Sequence, residues 1–411
     1  LHITLIRPFP ALRPVPTRCR DVIAPPDDCL SSAEARERAR GKPWSFLHVT
    51  KPEIDLPPNT DPYSDAVYAK AAENLQRMIA ERVVTRDARE HYYAYRTTWQ
   101  GRRQTGLACV AALAGYENGR VRRHELTTPT KETDRVRQIE ALNAQTGPVM
   151  MAYPHAPEID RLLKRATERD PDVAVTADDD VVHELWVIAD SAPIDELTRA
   201  FDAVGALYIA DGHHRAAAAE RVSVARGGSR SDGSHRYFLS VVFPHHAMTV
   251  LDYNRVVRDL NGRTPEQLLM EVGDRFVITP SISPPRPAEA REFGMYLDRR
   301  WHLLKLRPDL VPEQDAIGRL PVTLLSRNLI EPILGIVEPR TDKRIDFVGG
   351  GRGLQELARR VDSGEMAVAF ALFPTSMDDL MAVADAGAIM PPKSTWFEPK
   401  LADGMVSYVL D

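Results

Sequence analysis

The segment LYIADGHHRAAAAERV, residues 207–222, sets Asp211, Gly212, His213, His214 and Arg215 between a short apolar run and an Ala-rich stretch. Leu207, Tyr208 and Ile209 predict the end of a buried strand, and Ala216 to Val222 predict a helix. The five residues then fall at a helix N-terminus, where unpaired backbone N–H groups carry partial positive charge and suit an anion. Gly212 lets backbone approach closely, and His213, His214 and Arg215 add donors and charge, so the cluster suits phosphate oxygens. Asp211 either caps the helix or orients a neighbouring His or Arg. A metal site built from the adjacent histidines is the weaker alternative, since sequence neighbours seldom reach one ion. The second pair, His245-His246, follows Pro244 in a loop-like stretch, and no residue is assigned as a metal ligand.

A second constellation is RRHELTTPTKETDR, residues 122–135, with His124, Glu125, Lys131, Asp134 and Arg135. It is not HExxH, because Thr128 stands where the second His is needed, which removes the zinc-protease reading. A carboxylate at a strand end beside basic residues suits a general base if it reaches a substrate hydroxyl; the competing reading is a solvated charged turn. IDFVGGGRG, residues 345–353, runs from strand through glycines to helix, but it lacks GKS/T and the GxGxxG spacing, so it predicts a tight turn. MPPKSTWFEPKL, residues 390–401, is an ordered loop by its Pro and aromatic content. Its Lys393 and Lys400 either face an anionic pocket or belong to a docking segment.

The elements that must position these residues follow from periodicity. IRPFPALRP predicts extended chain, because each Pro fixes its own φ and biases its predecessor. Val67, Ala71, Leu75, Met78 and Ile79 lie at helical spacing. HYYAYRTTW, a QGR turn and RQTGLACVAALAGY predict a β-hairpin. Val136, Ile139 and Leu142 form one apolar helix face, stopped by Gly147-Pro148 before the strand VMMAY. Helices at PEIDRLLKRA and IDELTRAF flank a strand at ELWVIAD, and YFLSVVF follows the DGHHR motif. RGGSRSDGS, residues 226–234, predicts a polar loop. The expected division is an N-terminal α/β region over 1–119, a core over 120–260 interrupted by an insertion at about 156–205, and a C-terminal α/β region over 261–411.

At 411 residues the chain is too long for one ordinary core. A net charge of -5 argues against a protein that coats nucleic acid. Cys19, Cys29 and Cys109 are far apart with no CxxC spacing, which fits a reducing compartment. No apolar run approaches membrane-spanning length, and the start, at Leu1 rather than Met, has no signal-peptide pattern. The cytoplasm is the expected location.

HELTTPTKETDR and IEALNAQTG, followed by IADGHHR, resemble the ParB/sulfiredoxin-like superfamily, most closely its free-serine kinases. The whole chain, with IRPFPALRP, DYNRVV and MPPKSTWFEPKL, also resembles a large bacterial domain-of-unknown-function family linked to serine-kinase activity. The resemblance implies a mixed α/β (α+β) fold with a ParB/sulfiredoxin-like core. It implies transfer of a phosphoryl group from ATP or ADP, with Mg²⁺, to the hydroxyl of free L-serine. Glu125 would be the catalytic base, with His124 and Asp211 beside it. Gly212, His213, His214 and Arg215 would bind the nucleotide phosphates, Asp211 could also meet the magnesium ion, and Arg135 would neutralise phosphate or bind the substrate carboxylate; Lys131 and Lys393 are further candidate substrate contacts, Lys393 lying in a loop that the small kinases do not cover. Sulfiredoxin chemistry is disfavoured because His213 stands where that activity needs Cys, and no helix-turn-helix follows for a ParB-like DNA-binding role. The rival reading is a nucleotide-binding regulatory or nucleic-acid-binding protein without kinase activity.

Overall fold

Tyr92–Trp99 and Arg102–Ala112 pair antiparallel as the predicted hairpin, and the turn residues Gln100 and Gly101 both take positive φ, 48° and 76°. Two left-handed turn residues match the natural twist of the strands they join. We label the hairpin strands β2 and β3. Around them the chain builds β1 (Ile6–Arg7), β4 (Val121–Arg122), β5 (Val149–Tyr153), β6 (Val173–Thr176), β7 (Val182–Ile188), β8 (Leu207–Asp211) and β9 (Tyr237–Pro244). The order across this nine-stranded sheet is β4-β8-β5-β9-β3-β2-β7-β6, with β1 on β3. Parallel pairs β4·β8 and β5·β9 sit among antiparallel neighbours, a mixed α/β architecture.

The helices that carry the motifs are α1 (Asp65–Ala80), α2 (Pro129–Leu142), α3 (Pro157–Ala166), α4 (Ser191–Asp202) and α5 (His213–Ala225). In α1 the predicted stripe buries Val67, Ala71, Leu75 and Met78 but leaves Ile79 exposed. Helix α2 ends earlier than predicted, at Asn143 in the left-handed region (φ 47°), not at Gly147. Helices α2 and α5 pack against each other, which sets the HELTT segment beside the DGHHR segment. The computed structural model describes residues 4–229 and 232–411, so Arg230 and Ser231 of the expected polar loop lie outside the described residues.

Two compact units result, Leu1–Met248 with Pro399–Asp411, and Thr249–Glu398. This differs from the expected three regions. The boundary near 119 falls inside the first unit because β3 pairs with β9, and the segment 156–205 is no separate insertion because its β7 pairs with β2. One apolar cluster joins Leu5, Leu107, Met151, Trp186, Ile209 and Phe238. The last residues return to the first unit, where Ala24 and Asp403 exchange backbone hydrogen bonds of 3.1 and 2.9 Å.

The second unit holds an antiparallel six-stranded sheet whose central strands include Glu292–Leu297, Val368–Leu372 and Tyr253–Val257. Its IDFVGGGRG segment is the predicted tight turn: a Cβ on Gly349 would overlap the Trp396 ring, and one on Gly350 would overlap Asp252. The strand entering this unit, Thr249–Leu251, pairs with the strand leaving it, Trp396–Glu398.

Candidate functional site

Strand β8 carries Asp211 at its C-terminal end, and Gly212 turns the chain into α5 with φ 94°. Glycine is required here twice over: the left-handed conformation disfavours a side chain, and a Cβ would lie 3.1 Å from Arg215 Nε. The Gly212 N–H donates to Asp211 Oδ1 at 2.9 Å. Asp211 Oδ2 accepts from the Lys400 ammonium at 3.0 Å and lies 4.0 Å from Arg215. Burial alone would push the Asp211 carboxyl up, but Lys400 and Arg215 outweigh it and hold it well below the usual carboxylate range. Lys400 is correspondingly held above its ordinary value, the charge of Asp211 overcoming burial.

The two histidines do something the motif did not suggest. His214 Nε2 accepts the backbone N–H of Thr128 at 3.1 Å, and His213 Nε2 receives the backbone N–H of His124 in a long 3.5 Å contact. Both imidazoles therefore face the HELTT segment, His213 at His124 and His214 at Thr128. The Glu125 carboxylate, 42% exposed, lies 3.9 Å from His213 Nδ1. Burial, with nearby His124 adding to it, holds His213 well below its ordinary pKa, and burial also lowers His214. In this arrangement the Nε2 atoms of both rings are directed to backbone N–H groups.

His124 is the most enclosed residue of the cluster. Its ring meets that of His213 edge to face, with centroids 4.5 Å apart, and is 1% exposed. Neither ring nitrogen has a hydrogen-bond partner of ordinary geometry. Burial holds it at about 4, with the Ile209 backbone and Asp211 opposing weakly.

Below the motif, Arg215 donates to the Pro148 carbonyl and passes close over Gly147, where a Cβ would lie 3.2 Å from Arg215 Cδ. It lines a cavity of about 30 Å³ with Asp27, Arg135, Gln145, Gly147 and Asp403. Arg135 is paired to Asp27 at 2.8 Å and to Asp134 at 2.6 Å. Burial and the charge of Asp27 push Asp403 well above its ordinary value. Lys131 is exposed on α2. Lys393 belongs to the second unit, with its ammonium 5.7 Å from the Tyr253 ring centroid.

Sequence reasoning missed Asp27 and Asp403, the acids that face Arg135 and Arg215. PPDDC and LADGM have no catalytic spacing, and only tertiary contact reveals them. The Mg²⁺ implied by the resemblance takes oxygen ligands in near-octahedral geometry. Asp211 is committed to Lys400 and Gly212, and Glu125 stands against an imidazole, so these residues form no oxygen cage for Mg²⁺. Among the described residues no helix is long and apolar enough to cross a membrane.

The architecture is a mixed α/β protein with a strand-to-helix polar site. A family model matches residues 6–324, and the chain belongs to that family, described as Protein of unknown function (DUF1015). No curated protein matches the chain. Among solved structures, a free serine kinase variant in complex with ADP is similar at 12% identity, over 71% of this chain and 87% of that one, with a TM-score of 0.35. SbnI with a C-terminal truncation from Staphylococcus aureus is similar at 13% identity, covering 72% and 85%, TM-score 0.36. A conserved hypothetical protein from Pyrococcus furiosus is similar at 13%, covering 72% and 93%, TM-score 0.34.

Proposed function

We propose that the protein is a small-molecule kinase with a ParB/sulfiredoxin-like core, transferring a phosphoryl group from ATP or ADP to the hydroxyl of free L-serine. The observation that carries this reading is the position of Glu125: two motifs more than eighty residues apart meet so that its carboxylate faces the first turn of α5. Phosphoryl transfer needs an oriented nucleophile and positive charge around the transferred oxygens, with little covalent help from the protein. Glu125 accepts the hydroxyl proton as the serine oxygen bonds to the terminal phosphorus, and the bond from that phosphorus to the nucleotide oxygen breaks. The N–H groups of the first α5 turn, unpaired within the helix, face the phosphates together with Arg215.

Mg²⁺ would enter with the nucleotide substrate and would supply positive charge to its phosphates. Arg135 and Arg215 line the cavity beneath the motif beside Asp27 and Asp403, and their charge suits a carboxylate group of the acceptor. Three free thiols fit a cytoplasmic location.

The test is incubation of purified protein with Mg²⁺, ATP or ADP and a panel of hydroxyl metabolites, with phosphorus NMR of the products. O-phospho-L-serine is the expected product, and Glu125→Gln should abolish its formation while nucleotide affinity holds. Nucleotide binding without product from any acceptor would overturn the transfer reading in favour of a nucleotide-binding regulatory protein.

A further inference from the structure

We propose that His124, Glu125 and His213 form a binding site for a divalent transition metal of the zinc, cobalt and manganese class. One ring nitrogen from each histidine and one carboxylate oxygen lie within 4.8 Å of one another. Tetrahedral ligands at ordinary zinc distances stand about 3.4 Å apart, so closure needs side-chain rotation and no movement of the sheet.

An independent observation points to a ligand. The His124 ring is buried, and neither of its nitrogens makes a hydrogen bond of ordinary geometry, although the Ile209 backbone lies near the ring. A buried polar group left without a partner is costly, and native proteins rarely retain one without cause. A metal ion accepts one of those lone pairs. The Glu125 side chain, 42% exposed, provides the route of entry beside the buried His213 ring.

The donor set decides the class of ion. Two imidazoles and one carboxylate suit first-row transition metals, whereas Mg²⁺ prefers oxygen ligands and keeps its waters. The adjacent histidines of the DGHHR motif do not share the site: His213 contributes and His214 is turned to Thr128. A second group of the same type, His155, Asp160 and His246, lies at the surface with its ion-pair distances at 3.8 and 4.0 Å. It provides the control. Resting on the assignment of Glu125 as base, a bound transition metal would occupy the lone pair that takes the serine proton, so metal and turnover would exclude each other.

The experiment is equilibrium dialysis of the full chain against Zn²⁺ without nucleotide, paired with visible spectra of the Co²⁺-loaded protein. One ion per chain is expected at this site, retained in millimolar Mg²⁺, with affinity unchanged in His246→Ala. His213→Ala should abolish binding, and Glu125→Gln should weaken it at least tenfold. Glu125→Gln alters a half-exposed side chain and keeps the test valid if His213→Ala fails to fold. Absence of saturable binding, displacement by equimolar Mg²⁺, or loss only in His246→Ala would overturn the proposal. Because dialysis needs no turnover, failure of the kinase reading leaves this result intact, and a working kinase that binds no Zn²⁺ overturns only the metal site.

Discussion

The Lys400 ammonium lies 3.0 Å from the Asp211 carboxylate, although 189 positions separate them along the chain. The pair neutralises the acid at the strand-to-helix junction and leaves Arg215 to the cavity beneath. Removing one partner of an enclosed ion pair strands the other. Lys400→Met should therefore lower the stability of the first unit by about 2 kcal/mol, toward the low end because solvent reaches both groups. Urea unfolding measures this, and an unchanged midpoint would mean that the pair contributes nothing net.

His214 holds the HELTT segment through the Thr128 N–H. In His214→Ala that amide should exchange with deuterium about fivefold faster, as expected for loss of a hydrogen bond worth roughly 1 kcal/mol. Turnover should fall with little change in nucleotide affinity, and His214→Gln, which keeps an acceptor, should recover part of it. Unaltered exchange at Thr128 would remove the positioning role.

At Gly212 the left-handed backbone and the nearby Arg215 act together. Gly212→Ala should destabilise by about 1–2 kcal/mol from the backbone conformation alone, with a further loss of nucleotide affinity as Arg215 shifts. Thermal melts and nucleotide titration read the two effects separately. Wild-type behaviour in both would show that neither constraint operates.

His183, buried on β7, takes the Tyr95 hydroxyl on Nδ1 at 2.8 Å, and that same hydroxyl accepts the Ala402 N–H at 3.3 Å. Burial lowers His183 from 6.5 to about 4. The unfolded chain binds the proton first, so stability is fully present above pH 6.5 and is lost as pH falls toward 4. The loss attributable to this group is about 3 kcal/mol. Denaturant midpoints across that range should decline in the wild type and decline less in His183→Gln; parallel profiles would assign the acid sensitivity elsewhere.

The hairpin at 92–112 and helix α1 were legible because their patterns are local: alternation interrupted by Gln-Gly, and a 3.6-residue stripe. The DGHHR junction was legible for the same reason, as an apolar run meeting an Ala-rich helix. The roles of its histidines were not. Their partners are backbone N–H groups of His124 and Thr128, which carry no side-chain signature. The division into regions also misled, because nothing near Gly119 announces that β3 pairs with β9, and nothing in LADGM announces that it returns to Ala24.

That return has a consequence for how the protein is made. The entering and leaving strands of the second unit are hydrogen-bonded neighbours, and Lys400 and Asp403 rejoin the first unit only after that whole excursion. On the ribosome the nine-stranded sheet is complete once β9 has emerged, yet Asp211 waits without its lysine until 189 codons beyond its own are read. A chain released early, anywhere between Met248 and Lys400, would carry every residue of both motifs and still lack a finished site.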